Sequence, residues 1–227
     1  MNPLHRTLDA AVLKPEMSRS EAKEAIQACI RLKTYSVCVR PCDIQLAQHL
    51  CQGTETEVCV VLGFPHGGQL TDSKVDEARR YIDLGVDEID MVANYGWVRS
   101  GDWEAVQADI AAVTKLTNAA GIPLKVIFET AQINSEDIGK MVEVSIAAGA
   151  DFVKTSTGFN GEGAKMDDIK QMLESAAGRI KVKPSGGIRD AAKAQAFIDI
   201  GAHRLGVGWT SCEAICKGSA TGEGSGY

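Results

Sequence analysis

Gly149-Ala-Asp-Phe-Val-Lys-Thr-Ser-Thr-Gly158 runs from a helix end through a short apolar strand to a lysine and a hydroxyl- and glycine-rich loop. Glycine is the residue that closes a helix in the left-handed conformation, so Gly149 marks the end of the preceding amphipathic stripe Ile138, Val142 and Ile146. Asp151–Val153 then reads as a strand, and Lys154 stands where that strand stops. The joint recurs at Gly85-Val-Asp and Gly201-Ala-His, each leading from a helical stripe directly into an apolar run. The chain is therefore built from a repeating helix–glycine–strand unit.

Outward from that stretch, nearly continuous apolar runs at Ser36–Val39, Val58–Leu62, Glu88–Val92, Leu124–Phe128, Ile180–Val182 and Arg204–Val207 read as strands of a covered parallel sheet. Leu4–Leu8 is the candidate for an eighth. Between them, apolar residues recur at helical spacing: Ala22, Ala25, Ile26, Cys29 and Ile30 behind a Ser18–Glu21 capping box, then Val75, Ala78 and Ile82, then Trp103, Val106, Ile110 and Val113. Further stripes fall at Ile169, Met172 and Leu173 and at Ala194, Phe197 and Ile198, and Gly85, Gly121, Gly149, Gly178 and Gly201 stand at helix ends. Such alternation fits a doubly wound sheet or a (β/α)8 TIM barrel. The barrel is preferred, because Asp9, Cys38, Asp90, Glu129, Lys154 and Lys183 gather toward strand C-termini, which converge on one mouth only in a barrel. No GxGxxG follows the first strand.

The 227 residues suit one barrel domain over 1–217, followed by a flexible 218–227 tail rich in glycine and serine and ending in Tyr227. A net charge of −6 argues against a nucleic-acid partner. No run approaches the ~18 apolar residues of a membrane span. Seven cysteines without a CxxC pair suggest reduced thiols, and a cytoplasmic location is expected.

Lys154 and Lys183 end adjacent strands, about 4.8 Å apart in a parallel sheet. Mutual repulsion and partial desolvation are expected to lower the pKa of at least one amine, and a neutral amine is the nucleophile that forms an imine with an aldehyde. A two-lysine phosphate clamp fits the same pair. Asp90 alternates onto the face of Glu88 and Val92, where it could relay protons through water or form a structural ion pair with Lys125. Gly186-Gly187 and Gly206-Val-Gly208 are read as loops after the last two strands, where TIM barrels hold phosphate; ordinary turn glycine is the plainer reading. Cys38 has no histidine partner and reads first as a core thiol.

Leu8-Asp9 with Leu13-Lys-Pro15, Val37-Cys-Val39, Gly63-Phe-Pro65, Glu88-Ile-Asp-Met-Val92, Leu124-Lys-Val-Ile-Phe-Glu-Thr130, Phe152-Val-Lys-Thr-Ser-Thr-Gly158, Lys183-Pro-Ser-Gly-Gly-Ile-Arg189 and Tyr227 together resemble the deoxyribose-phosphate aldolase family over almost the whole chain. The resemblance implies a class I aldolase in which Lys154 forms the Schiff base, Lys183 lowers its pKa, Asp90 relays protons and Tyr227 assists proton transfer at the enamine carbon. It implies substrate and phosphate contacts from Gly158, Gly186, Gly187 and Gly206, with Cys38 beside the substrate. Two departures stand out: Ala10-Ala11 where many members carry His-Thr, and Gly208-Trp209 where small hydroxyl residues are usual.

The implied reaction is reversible cleavage of 2-deoxyribose 5-phosphate to glyceraldehyde 3-phosphate and acetaldehyde, a step of deoxyribose phosphate catabolism. It needs no metal or organic cofactor, because the lysine itself is the electron sink. The expected partners are small aldehydes and sugar phosphates, with a homodimer as the expected assembly. Two other functions remain at this point: the same lysine chemistry on an unphosphorylated acceptor, and a non-catalytic sugar-phosphate-binding barrel.

Overall fold

The computed structural model describes residues 4–218. Among them, eight parallel strands form one sheet: β1 Leu8–Val12, β2 Ser36–Val39, β3 Glu57–Leu62, β4 Glu88–Val92, β5 Leu124–Ile127, β6 Phe152–Lys154, β7 Lys181–Lys183 and β8 Leu205–Gly208. The strand order is β7-β6-β5-β4-β3-β2-β1-β8, and a parallel bridge between Ser185 and Gly206 joins the two ends. The helices are α1 Arg19–Arg31, α2 Ile44–Cys51, α3 Thr71–Asp83, α4 Tyr95–Arg99, α5 Trp103–Ala120, α6 Ser135–Ala147, α7 Met166–Ala176, α8 Ala191–Asp199 and α9 Trp209–Lys217. This is the (β/α)8 barrel expected from the repeating unit. No helix among the described residues is long and apolar enough to cross a membrane.

Local sequence accounts for the helix ends. Ser18 caps α1 through its side chain while Glu21 reaches back to the Ser18 N–H, which satisfies two donors that a helix start otherwise leaves unpaired. All five glycines expected at helix ends have positive φ.

The first strand differs from expectation. Leu4–Thr7 is a turn of 3-10 helix, and the strand begins where the predicted one ended. The Thr7 hydroxyl donates to the Leu4 carbonyl at 2.7 Å, and Arg6 reaches the carbonyls of Lys33, Thr34 and Glu55. These contacts tie the segment down before β1 begins, and Asp9 becomes an early residue of its strand instead of a late one. Gly206 and Gly208 likewise lie inside β8 and not in a loop after it. A Cβ on Gly206 would come within 2.1 Å of the Ser185 Oγ, so the closing bridge requires glycine there.

Strand alternation separates two environments. Leu8, Ala10, Val12, Val37, Val39, Val58, Val60, Leu62, Ile89, Met91, Val126 and Val207 belong to the main core between sheet and helices. The residues between them face the barrel interior, which is why Asp9 on β1 and Asp90 on β4 can both touch Lys183 on β7.

A second buried ion pair lies outside the barrel. Lys74 on α3 takes part in the buried face expected for Val75, its Nζ 2.6 Å from Asp109 Oδ2 on α5 and 3.2 Å from the Val92 carbonyl. Thr71 donates to the other Asp109 oxygen at 2.7 Å. Breaking a buried pair from one side leaves an uncompensated charge, so Lys74→Met should cost about 3–5 kcal/mol in urea unfolding. The double change Lys74→Met, Asp109→Leu should recover most of that loss; equal destabilisation of the single and double variants would show that the pair does not act as a unit.

Candidate active site

The interior-facing positions build one ionic cluster. Asp90 Oδ1 accepts from Lys125 at 2.9 Å, and Asp90 Oδ2 accepts from both Lys154 and Lys183 at 2.8 Å. Sharing one oxygen brings the two strand-end amines within two hydrogen-bond lengths of each other. Asp9 Oδ2 meets Lys183 Nζ at 2.5 Å, and Asp9 Oδ1 accepts from Arg204 at 2.7 Å and from Ser36 at 2.8 Å. Glu88 ties Lys125 at 2.7 Å to Arg204 at 2.5 Å. The cluster thus links three carboxylates, Asp9, Glu88 and Asp90, to four cations, Lys125, Lys154, Lys183 and Arg204.

Burial and charge compete at each member. Burial alone would raise Asp90, yet Lys125, Lys154 and Lys183 hold its carboxyl well below the usual range. Burial likewise opposes ionisation of Asp9, but Lys183, Arg204 and Lys125 bring it to about 2. Burial would depress Lys183, and Asp9 and Asp90 overcome it, so its pKa is raised. At Lys183 the two carboxylates outweigh repulsion from Lys154 and Lys125, so the amine expected to lose its proton is not this one. Lys183 is a fixed positive charge beside Lys154.

A depressed carboxyl stabilises the fold above its unfolded pKa and loses that contribution as pH falls through its folded pKa. For Asp9 the window runs from 3.8 down to about 2. The thermal midpoint should therefore fall through this window, and Asp9→Asn should flatten the decline measured by differential scanning calorimetry. An unchanged slope would show that Asp9 does not carry the acid sensitivity.

The loop after Lys154 is held by Glu129, whose backbone is left-handed at φ 58°. Glu129 accepts from the Thr157 N–H at 3.1 Å, from the Thr157 hydroxyl, and from Asn160 Nδ2 at 2.9 Å. Gly158 lies in that loop with φ 83°. The loop after β7 packs against it: the Ala164 N–H donates to the carbonyls of Ser185 and Gly186, and a Cβ on Gly163 would sit 2.3 Å from the Gly186 backbone. A cleft of about 230 Å³ opens at the mouth between the loops after β1, β2, β3 and β6. Leu13, Pro15, Val61, Phe64, Pro65 and Phe159 form its apolar walls, and the Phe64 and Phe159 rings meet edge to face at 5.2 Å.

Residues 6–222 match the model of the DeoC/LacD family aldolase. The chain belongs to that family. It is 40% identical over 215 residues to a deoxyribose-phosphate aldolase of Mannheimia succiniciproducens, covering 95% of this chain and 94% of the relative. It is 42% identical over 200 residues to one of Exiguobacterium sibiricum, covering 88% and 90%. Among solved structures, the aldolase QR15 superposes with a TM-score of 0.89 at 38% identity, covering 96% of both chains. The chain is an aldolase, a lyase, as the family resemblance of its motifs implied.

Within this aldolase, the structure brings Lys154, Lys183 and Asp90 together and adds Lys125, weighed beforehand only as an ion-pair partner of Asp90. The ion pair expected between Asp90 and Lys125 is present, on the carboxylate oxygen opposite the one that Lys154 and Lys183 share. Asp9, Glu88 and Arg204 were not assigned to the site; their charges in otherwise apolar strands were the available signal. Cys38 lies buried beside Cys59, Ala11, Leu13 and Val61. Ala11 shares that inward-facing cluster, whereas Ala10 faces the helices. The Gly206 N–H donates to Pro184 and its carbonyl accepts from the Gly186 N–H, so these two glycines act by close packing of the barrel seam. Trp209 was expected beside the phosphate loop. It instead lines an outer groove with Ala28 and Arg31 of α1 and with Leu32 just after that helix, because α9 starts directly after Gly208. Tyr227 lies outside the described residues.

Proposed function

We propose that this aldolase cleaves 2-deoxyribose 5-phosphate to glyceraldehyde 3-phosphate and acetaldehyde through a Schiff base on Lys154. The observation that carries the reading is the single Asp90 oxygen shared by Lys154 and Lys183. Four cations against three carboxylates leave one surplus positive charge, and removal of one ammonium proton balances the cluster. Lys154 ends its strand at the barrel mouth, next to the persistent charge of Lys183, and is the amine placed to give up that proton.

The neutral amine attacks the aldehyde carbon, and loss of water gives an iminium ion. The iminium accepts the electron pair as the bond between carbons 2 and 3 breaks, which releases glyceraldehyde 3-phosphate. Protonation of the enamine carbon and hydrolysis then free acetaldehyde and Lys154. Asp90, held strongly acidic by its lysines, is too weak a base to take a proton alone; it orients a water that does. Tyr227 is proposed as the proton donor to the enamine, carried by the 218–227 segment that follows a single barrel domain over 1–217.

The substrate phosphate is proposed to lie against the loops of Gly158 and Gly187, beside the β7–β8 seam that Gly186 and Gly206 close, with Cys38 beside the sugar. The N-terminus of α9, whose N-cap Gly208 supplies no side-chain hydrogen bond, adds backbone donors of the kind that bind anions. The apolar cleft of Phe64 and Phe159 favours a second reading, an acceptor aldehyde without phosphate. Steady-state kinetics with deoxyribose 5-phosphate and deoxyribose separate the two: a charge-assisted hydrogen bond is worth roughly 1.5–3 kcal/mol, so kcat/KM should favour the phosphate by at least about tenfold. Equal values would favour the second reading. A cytoplasmic location and a homodimer complete the proposal; a solved relative from Aeropyrum pernix, 27% identical, is described as tetrameric, and sedimentation velocity would read the state of this chain.

A further inference from the structure

Cys38 and Cys59 are Cα partners on the adjacent parallel strands β2 and β3. Parallel neighbours stand about 4.8 Å apart, inside the roughly 4.4–6.8 Å Cα separation that a disulfide spans. Both side chains enter the same inward-facing cluster, and their sulfurs and an Asp90 oxygen all lie within 4.8 Å of one another. Cys59 Sγ also donates to Asp90 Oδ1 at 3.2 Å and meets Lys125 Nζ at 3.5 Å. Such a set of ligands could suit a thiophilic metal ion, but Asp90 already accepts from Lys125, Lys154 and Lys183, and three ammonium groups oppose a further cation. The same positive field favours a thiolate.

We propose that Cys38 and Cys59 are an oxidisable dithiol, which peroxides convert into a cross-strand disulfide that switches the aldolase off. The Cys38 thiolate attacks one oxygen of the peroxide, forming an S–O bond as the O–O bond breaks, and the departing hydroxide takes up a proton to leave as water. The Cys59 sulfur then attacks the Cys38 sulfenic acid; the S–S bond forms, the S–O bond breaks, and the hydroxyl leaves as a second water with the Cys59 proton. Two thiols lose two electrons and the peroxide gains them.

The environments assign the two roles. The sulfur–sulfur hydrogen-bonding contact with Cys59 lowers the Cys38 thiol pKa against burial and the Asp90 charge, with help from Lys154 and Lys183. Burial, followed by that same hydrogen bond, keeps Cys59 well above the ordinary thiol range. Cys38 retains 2% exposure and Cys59 none, so the oxidant meets Cys38 first. Disulfide formation removes the S–H that Cys59 offers to Asp90, the carboxylate on which Lys154 and Lys183 converge. The loss of activity rests on the role proposed for Asp90; formation of the bond does not.

The test uses the full chain carrying Cys42→Ser, which removes the exposed thiol, treated with a modest excess of hydrogen peroxide. The mass should fall by about 2 Da, peptide mapping should link residue 38 to residue 59, and turnover should drop at least about tenfold and return with dithiothreitol. In the Cys59→Ala variant the cross-link should disappear and Cys38 should gain about 16 or 32 Da that dithiothreitol does not fully reverse. A link between Cys29 and Cys212, oxygen added to Cys38 with Cys59 intact, or an unchanged thiol count would overturn the dithiol. A mapped 38–59 link with full activity would overturn the switch. Borohydride trapping at Lys154 in the untreated enzyme reads the aldolase mechanism separately.

Discussion

Lys154→Ala is expected to lower kcat by at least about 10⁴-fold, the scale on which removal of a covalent nucleophile acts. The fold should survive. Asp90 keeps Lys125 at 2.9 Å and Lys183 at 2.8 Å, and the three cations that remain match the three carboxylates, the same balance that a neutral Lys154 gives. The thermal midpoint of the variant should therefore equal or exceed that of the parent, which is unusual for removal of a buried polar side chain. Incubation of the parent with acetaldehyde and borohydride should leave a two-carbon secondary amine on Lys154 alone, since only an imine is reduced to a stable adduct. Retained turnover in the variant, or an adduct mapped to Lys183, would end the assignment of the two lysines.

The second large effect is expected from Lys183→Leu. Lys183 is held charged by Asp9 and Asp90, so its removal takes away the positive charge nearest the nucleophile. Lys154 then shares its Asp90 oxygen with no other ammonium, and its protonated form gains on both counts. The pH dependence of imine formation should move upward by roughly 1–3 units, with a fall of about 10- to 1,000-fold at neutral pH. Asp9 keeps Arg204 at 2.7 Å, which limits the structural damage, although loss of one buried partner still costs about 3–5 kcal/mol. Stopped-flow imine formation across pH is the measurement. A slower reaction with an unshifted profile would make Lys183 a structural residue with no electrostatic coupling to Lys154.

The barrel was legible because its signals are local. Gly149, Gly85 and Gly201 end helices, the runs between them have the length and β-branching of strands, and Lys154 and Lys183 occupy the same relative position in successive units. The exceptions also have physical causes. Leu4–Thr7 has an apolar start that reads as strand, but Arg6 finds its carbonyl partners only when residues 33, 34 and 55 fold beneath it. Val75 fits the helical stripe, yet the neighbouring Lys74 is the residue buried, because Asp109 arrives from α5 to neutralise it. Trp209 directly follows the Gly206-Val-Gly208 stretch read as a loop, and the early start of α9 turns it to the outer layer.

What the sequence by itself determined was the repeating unit, the family and the identity of the two strand-end lysines with Asp90. Periodicity and residue type suffice for the unit and for the strand positions of the three residues, since each depends on neighbours along the chain or on a strand beside it; the family came from the resemblance of the motifs. The tertiary structure alone decided the charge balance. Whether Lys183 is neutral or charged depends on Asp9, which lies on a distant segment of the chain and reaches it only through the closed barrel interior. Repulsion between two lysines can be read from sequence; the carboxylates that outweigh it at Lys183 cannot, because an inward strand position shows its ionic partner only after β8 meets β7 and the ring is shut.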